Sequence, residues 1–150
     1  MDSVDCKILS LLKKNSRINA TAISEKVNLS ISAVSERIKK MESSGVIKQY
    51  TLVVDSVSIG MDISAFISVS LEHPKFNNSF SESIQKHKHI VECHYITGDF
   101  DFLLKVIVSS TSALESVLND IKRIEGVSLT RTLVVLSTIK NDFSVLPDGE

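Results

Sequence analysis

Residues 19–40 read Asn-Ala-Thr-Ala-Ile-Ser-Glu-Lys-Val-Asn-Leu-Ser-Ile-Ser-Ala-Val-Ser-Glu-Arg-Ile-Lys-Lys. Asn19 and Ser30 are good N-cap residues, because their side chains accept hydrogen bonds from the free N–H groups of a first helical turn. Asn28 stands between them and tolerates the left-handed backbone of a tight turn. The segment therefore predicts two short helices joined by a tight turn.

Each of these helices has one apolar face, since its apolar residues recur at helical spacing. Gly45 stands where a left-handed residue ends the second helix. Two short helices with a tight turn are typical of a helix-turn-helix, whose second helix enters the major groove of DNA. The predicted inward positions are Ala22, Ile23, Val27, Val34, Ile38 and Met41.

The outward face of the second helix is small, polar or basic, so the helix can approach DNA closely. An ordinary solvated helix of an all-α domain is the alternative. Lys39 and Lys40 suit phosphate contacts, whereas Glu36 either accepts from a cytosine amino group or repels phosphates. Arg37 lies toward the buried flank, where a structural ion pair is as reasonable as a phosphate contact. The candidate DNA-binding residues are Ser30, Ser32, Ala33, Ser35, Glu36, Arg37, Lys39 and Lys40.

Length and composition bound the class of protein. A chain of 150 residues with 43% apolar residues forms one or two small domains with a real core. No segment has the length of a membrane span, and two acidic residues near the start exclude a secretory signal. Cys6 and Cys93 lie too far apart to suggest a disulfide framework. We therefore expect a reduced, cytoplasmic protein without membrane association.

The net charge of −1 hides an asymmetry between the two parts of the chain. Residues 1–50 hold nine Lys or Arg against five Asp or Glu, a balance of +4. Residues 51–150 hold eight against thirteen, a balance of −5. A basic first part joined to an acidic second part indicates that only the first part meets a polyanion.

The segments beside the helix-turn-helix complete the first domain. Val4, Ile8, Leu11 and Leu12 form the buried stripe of a helix capped by Asp2 or Ser3 and ending near Lys14. Residues 46–54 are β-branched and aromatic, which favours a strand that serves as a wing or as a link. We predict a DNA-binding domain over residues 1–54, including this linking strand, and a second domain over residues 61–142.

In the second domain the apolar period changes to two, which is typical of strands with one buried face. The order β-α-β-β-α-β is that of ferredoxin-like folds. Helices would cover one sheet face, and self-association is the obvious way to bury the other. The predicted elements are strands over 63–72, 90–97, 102–109 and 127–139, a helix over 79–88, and a helix that begins at a Ser112–Glu115 capping box and ends at Gly126.

The sequence resembles the leucine-responsive regulatory protein/AsnC family of prokaryotic transcription regulators, and the resemblance extends over nearly the whole chain. The first domain matches at Asp5–Leu9, at Leu29-Ser30 leading into Arg37–Glu42, and at Ser44–Tyr50. In the second domain, residues 91–106 resemble the family's hairpin around a Gly-Asp-aromatic-Asp turn, and residues 131–136 resemble its last strand. Many members carry arginines where Ser35 and Glu36 stand, so direct base readout by arginine is not expected here.

The resemblance implies an α+β protein with a winged-type helix-turn-helix followed by a ferredoxin-like domain. It implies a sequence-specific regulator that binds double-stranded DNA as a homodimer, assembles further to an octamer and responds to an amino acid between subunits. Asp99 and Asp101 would hold the ammonium group of that amino acid, although both also suit a simple turn. The candidate effector-binding residues are Thr97, Gly98, Asp99, Phe100, Asp101 and Thr138.

Other kinds of site have little support. His87, His89, Cys93 and His94 lie close in sequence, but Cys93 and His94 point to opposite faces of a strand, so no metal site is expected. No nucleophile or phosphate-loop motif accompanies the acidic residues, and we predict neither an enzyme nor a cofactor. Two alternatives remain. One is an architectural DNA-binding protein of the same fold without an effector. The other is an enzyme or metabolite-binding protein whose helix-turn-helix only aids assembly.

Overall fold

The computed structural model describes residues 1–147, which divide into two compact units. The first unit contains Met1–Val53 and is joined by residues 140–147, and the second unit is Val54–Ile139. The second unit thus ends three residues before position 142, because the chain beyond Ile139 returns to the first unit. There Leu146 packs against its apolar core.

The first unit is a three-helix domain consisting of α1 (Ser3–Lys14), α2 (Ala20–Val27) and α3 (Ile31–Ser43). The predicted caps are confirmed. The Asp2 carboxylate accepts from the Asp5 N–H at 2.8 Å, and the side chain of Asn19 accepts from the Ala22 N–H at 2.8 Å. Asn28 adopts the left-handed conformation with φ of 55°. The three helices share a core made by Ile8, Leu9, Leu12, Ile23, Val34 and Met41.

The strand predicted over residues 46–54 is wrong. Among residues 1–147, no strand is formed before Ile63. The side chains of Leu52, Val53 and Val54 are exposed by 82%, 60% and 47%. A strand needs a neighbour to accept and donate its backbone hydrogen bonds. The local preference of these residues for β-structure is therefore not sufficient within one chain.

The second unit is an antiparallel sheet with the strand order β2-β3-β1-β4, as in ferredoxin-like folds. Its two helices cover one face over a core that includes Ile67, Phe80, Leu104 and Ile121. The α+β fold predicted from the sequence is confirmed. The elements are β1 (Ile63–Leu71), α4 (Asn77–Gln85), β2 (Ile90–Tyr95), β3 (Phe102–Val108), α5 (Thr111–Lys122) and β4 (Val127–Val134).

Several boundaries differ from the sequence prediction by a few residues, most of all those of α4, α5 and β4. Helix α5 is capped by Ser110, whose hydroxyl accepts from the Ala113 N–H at 3.1 Å, so Ser112 lies inside the helix. Helix α4 begins at Asn77 because a 3-10 turn over Pro74–Phe76 leads directly into it. Strand β4 ends at Val134, five residues early, where its pairing with β1 stops at Ala65.

The described part of the chain contains no helix that is long and apolar enough to cross a membrane.

Candidate DNA-binding surface and effector site

Helix α3 presents one polar face to solvent. Lys39, Lys40 and Glu36 are exposed on it, together with Ser32 and Ser35. Val34 and Met41 are buried in the core on the opposite side, so they fix which face of α3 points outward. The outward face is thus the one predicted from the sequence, with two lysines near the end of the helix and small hydroxyl side chains near its start.

The hydroxyl groups of this face are partly engaged by the helix itself. Ser30 caps α3 by accepting from the Ala33 N–H at 3.2 Å, and its Oγ lies 3.0 Å from the Oγ of Ser32. The Ser35 hydroxyl donates to the Ile31 carbonyl at 2.9 Å. The lone pairs of Ser35 remain available as acceptors, which suits contact with an amino group of a base.

Arg37 is held in an ion pair inside the first unit. Its Nη1 lies 2.7 Å from the Asp2 Oδ2 and 2.7 Å from the Asp5 Oδ1. Both carboxylates also cap the start of α1, since each accepts from the backbone N–H of the other. Arg37 therefore ties α3 to the first turn of α1. Of the two interpretations left open by the sequence, the structure shows the ion pair.

The ion pair changes the charge equilibria of its members. The backbone N–H of Asp5 and the Arg37 guanidinium hold the pKa of Asp2 below its ordinary value. Burial tends to raise the pKa of Asp5, but the Asp2 N–H and Arg37 outweigh it, and the net direction is down. The two carboxylates raise the pKa of Arg37. All three groups are therefore charged at neutral pH.

Acid should weaken this link. A carboxylate with a lower pKa in the folded state adds stability above its unfolded pKa, and this contribution is lost as the pH falls through the folded value. We expect α1 amides to lose protection from hydrogen exchange below about pH 4. Arg37→Gln should lower the protection at pH 7 and flatten its pH dependence. Exposed Arg17→Gln is the control, and equal pH profiles for the two variants would contradict the assignment.

Sequence reasoning missed Ile31. Its side chain is 50% exposed at the first position of α3, on the end that reads bases in helix-turn-helix proteins. Among the side chains of that first turn it is the largest apolar group. Its position immediately after the N-cap Ser30 was the available signal in the sequence.

The Gly98–Asp101 turn joins β2 to β3, as predicted. Gly98 has φ of 111°, which favours glycine. The Asp101 backbone N–H donates to the Val69 carbonyl at 3.0 Å, and the Asp101 Oδ2 accepts from the Leu71 N–H at 2.7 Å. Leu71 lies at an irregularity in the pairing of β1 with β4. The Asp101 carboxylate therefore has a structural role in fastening the turn to the end of β1.

Asp99 is placed differently from Asp101. Its carbonyl accepts from the Ser70 hydroxyl at 3.4 Å, and the residue is exposed, as are its neighbours Thr97 and Gly98. Phe100 is half-buried beside it. Within residues 1–147, no hydrogen bond reaches the carboxylate of Asp99, so it is the free acidic group of the turn.

Thr138 was predicted to lie on a strand over residues 127–139, but it lies beyond the end of β4. Strand β4 pairs Val127 with Leu71 near the turn and ends with Val134 beside Ala65. The chain therefore leaves the sheet at the end opposite the turn. Within one chain, Thr138 and the turn cannot form a common pocket.

The histidine and cysteine residues near β2 are separated by the sheet. His94 faces away from the helices, with its Nε2 3.1 Å from the Glu92 Oε2, whereas Cys93 lies on the helix side. Within residues 1–147, no three His, Cys, Asp or Glu side chains form a group that could hold a metal ion. His94 is also in contact with Glu92 rather than with the acidic turn.

The helices leave one face of the sheet uncovered within the chain, and we call it the open face. Because side chains alternate along each strand, the residues between the buried positions of the strands point to this face. Leu129 and Leu133 are 57% and 58% exposed. On the same face the Lys105 Nζ lies 3.0 Å from the Glu92 Oε1. The apolar members of the open face are Phe66, Leu103, Ile107, Leu129 and Leu133.

Sequence comparisons match both units. Residues 1–48 match the family described as "Winged helix-turn-helix DNA-binding", and residues 64–145 match the "Lrp/AsnC ligand binding domain". The HTH-type transcriptional regulator FL11 of Pyrococcus furiosus is 35% identical over 140 residues, covering 93% of this chain and 92% of that protein. The leucine-responsive regulatory protein of Escherichia coli K12 is 34% identical over 143 residues, with 93% and 87% covered.

Solved structures give the same result for the fold. The transcriptional regulator NMB0573 of Neisseria meningitidis, in complex with L-Met, superposes with a TM-score of 0.91 at 31% identity, covering 97% of this chain and 96% of that one. The AsnC protein of E. coli superposes with a TM-score of 0.88 at 27% identity, with 94% and 95% covered.

Proposed function

Because the chain belongs to the Lrp/AsnC family of DNA-binding transcription regulators, we propose that it binds specific DNA sites as a homo-oligomer whose assembly responds to an amino acid. The family consists of regulators and not of enzymes. The single observation that carries the proposal is the outward face of α3, where Lys39 and Lys40 follow a turn of small hydroxyl side chains. As a DNA-binding regulator the protein would act in the cytoplasm.

On DNA, Lys39 and Lys40 would contact phosphates, and Ser30, Ser32 and Ser35 would face base edges or phosphates at the start of α3. Glu36 would accept from a cytosine amino group. Ala33 is half-buried, and its small side chain would allow α3 to approach the DNA closely. Arg37 would act on DNA binding indirectly, as the residue that positions α3 through Asp2 and Asp5.

Ile31 should contact thymine. Its exposed side chain suits the 5-methyl group, which is an apolar feature of the major groove. Replacing the thymine that Ile31 contacts with uracil removes this methyl group. Wild-type binding should then weaken about 5- to 10-fold, the size of effect expected for the loss of one apolar contact. The same change should have no effect on Ile31→Ala. If uracil weakens both proteins equally, Ile31 does not contact that methyl group.

The open face supports the dimer. Five apolar side chains lie on it, and a second copy of the same sheet would bury them without a new partner. Two copies packed face to face would place two α3 helices on one assembly, and these would meet half-sites separated by whole turns of DNA. Further association to an octamer would bring the Gly98–Asp101 turns of neighbouring subunits close to one another.

The effector would bind at that turn. Asp99 supplies a free carboxylate for an ammonium group, Gly98 permits close approach to the backbone, and Phe100 and Thr97 lie beside them. Asp101 would support the site by holding the turn to β1. Thr138 would join only from a second chain, because within one chain it lies at the other end of the sheet.

Amino-acid titration tests the effector. We expect one amino acid to change both the assembly, measured by light scattering, and the DNA affinity, since a ligand shifts an equilibrium only through its different affinities for the two states. Asp99→Asn should abolish this response and leave DNA binding unchanged without ligand. Ser109→Asn, an exposed position elsewhere in the domain, is the control. If no amino acid alters either quantity, this part of the proposal fails.

The engagement of Asp101 favours one alternative. Because the Asp101 Oδ2 already accepts from the Leu71 N–H, Asp99 is the one acidic group of the turn whose carboxylate has no hydrogen bond within residues 1–147. An architectural DNA-binding protein of the same fold, without an effector, would show salt-dependent DNA binding and no response in the titration above.

A further inference from the structure

A cleft lies between α5 and the turn that connects α4 to β2, and nothing in the proposed function uses it. The cleft has a volume of about 500 Å³, within the range of small-molecule sites. Residues 86–89 form one wall, and Ala113, Val117 and Asp120 on α5 contribute to the other. We propose that this cleft binds a small aliphatic carboxylate.

The wall formed by residues 86–89 is held in place by backbone hydrogen bonds. The His87 N–H donates to the Ile84 carbonyl at 3.0 Å, and the Ile90 N–H donates to the His87 carbonyl at 3.1 Å. The Ile107 N–H of β3 donates to the His89 carbonyl at 3.0 Å. The wall is therefore tied both to α4 and to the sheet, so it is ordered before a ligand arrives.

The charge of the cleft favours an anion. Lys86 and Lys88 line it, and Asp120 is its acidic member. The Asp120 carboxylate is already engaged, since its Oδ2 lies 3.4 Å from the His87 Nε2 and its Oδ1 lies 3.6 Å from the Arg123 Nη1. The two ammonium groups therefore remain for a ligand. The His87 Nδ1 accepts from the His89 N–H at 3.4 Å, and the Nε2 on the other side of the ring faces Asp120.

The apolar part of the cleft restricts the class of anion. Ala113 and Val117 are one helical turn apart on α5, and both line the cleft, where they form a hydrocarbon floor. A ligand with a carboxylate at one end and a short aliphatic chain at the other would contact both the lysines and this floor. Inorganic phosphate would be bound by the lysines alone, because it has no apolar group to contact the floor.

The cleft is separate from the Gly98–Asp101 turn. Strand β2 begins at Ile90, beside the cleft, and ends at Tyr95, beside the turn. Its six residues span about 17 Å at the rise of a β-strand. A ligand in the cleft would therefore not touch Asp99, and the inference does not depend on the proposed effector site.

Calorimetric titration of the full chain tests the inference with three probes. We expect 4-methyl-2-oxopentanoate to bind, and inorganic phosphate and 3-methyl-1-butanol to bind at least about tenfold more weakly, because each lacks one half of the recognition. Lys86→Gln/Lys88→Gln should weaken binding of the acid about tenfold or more. Lys75→Gln/Lys122→Gln, which changes two exposed lysines outside the cleft, should leave it unchanged.

A second pair of variants tests the position by volume. Ser116→Leu would fill the cleft, whereas Ser112→Leu adds the same group one turn earlier on α5, outside the lining. Only the first should block the acid, and Asp99→Asn should have no effect. The proposal is overturned if the acid does not bind at millimolar concentration, if phosphate binds equally well, if both lysine pairs act alike, or if Asp99→Asn abolishes binding.

Discussion

Phe66→Asp should convert the assembly to monomers. The side chain of Phe66 lies in the middle strands of the open face, where the register pairs it with Lys105 on β3 and Leu133 on β4. In a two-fold dimer the change occurs twice, and each copy removes an apolar contact and buries a new carboxylate beside Lys105, whose ammonium group already pairs with Glu92. At about 2 kcal/mol or more for each, the dimer should dissociate at least about 10³-fold more readily. Analytical ultracentrifugation measures this directly.

The same substitution should leave the fold intact, since Phe66 points away from the helix-covered core made by its neighbours Ala65 and Ile67. Circular dichroism of the monomer checks that point. Ser83→Asp adds the same charge at an exposed position of α4 and should leave the dimer unchanged. DNA affinity should fall when the dimer dissociates, because a single DNA-binding domain then binds without the avidity of a second one. A dimer of normal strength in Phe66→Asp would show that the open face is not the interface.

Lys39→Ala/Lys40→Ala should weaken binding to every DNA sequence alike. A dimer would lose four phosphate contacts, and each contributes about 0.9 to the slope of log K against log salt concentration. The slope should therefore become shallower by about 3.6, and the affinity near physiological salt should fall about 10³-fold. A gel-shift salt series with the specific site and with an unrelated duplex measures both quantities.

Lys13→Ala/Lys14→Ala provides a matched control for this experiment. These two lysines are also adjacent and exposed, in the last turn of α1 of the same unit, so the net charge changes equally. If both double variants reduce the slope to the same degree, the effect is one of overall charge. The face of α3 would then not be the contact surface.

The helix-turn-helix could be predicted because its signals are local. The capping side chains of Asn19 and Ser30 accept from N–H groups only three residues away, and Asn28 adopts its left-handed conformation within the turn itself. The alternation of apolar residues likewise located β1 to within a residue, because one face of that strand is buried. Patterns of this kind depend on sequence neighbours alone.

Features that depend on distant residues were not predictable in this way. The partners of Arg37 are 35 and 32 positions away in sequence, so the sequence left two interpretations open. The hydrogen bond that the side chain of Asp101 accepts from the Leu71 N–H joins residues 30 positions apart, so the sequence did not indicate it. Residues 46–54 have the composition of a strand, but no strand lies beside them within residues 1–147.

Candidate ligand sites were also difficult to predict from the sequence, because they combine residues that are far apart in the chain. The Ser110 cap of α5 and the early end of β4 shift boundaries by a few residues, but the position of Thr138 relative to the turn depends on the whole sheet register. The cleft beside α5 combines residues 86–89 with side chains about 30 positions later. Only the strand and helix order brings them together, and no motif marks them in the sequence.

The central claim is that the chain is a sequence-specific DNA-binding regulator. Its most direct test is the affinity of the wild-type protein for its own promoter region and for an unrelated duplex of equal length, over a salt series. We expect the promoter to bind at least about 10³-fold more tightly and both affinities to fall steeply with salt. Equal affinity for the two duplexes, or binding that does not change with salt, would contradict the claim.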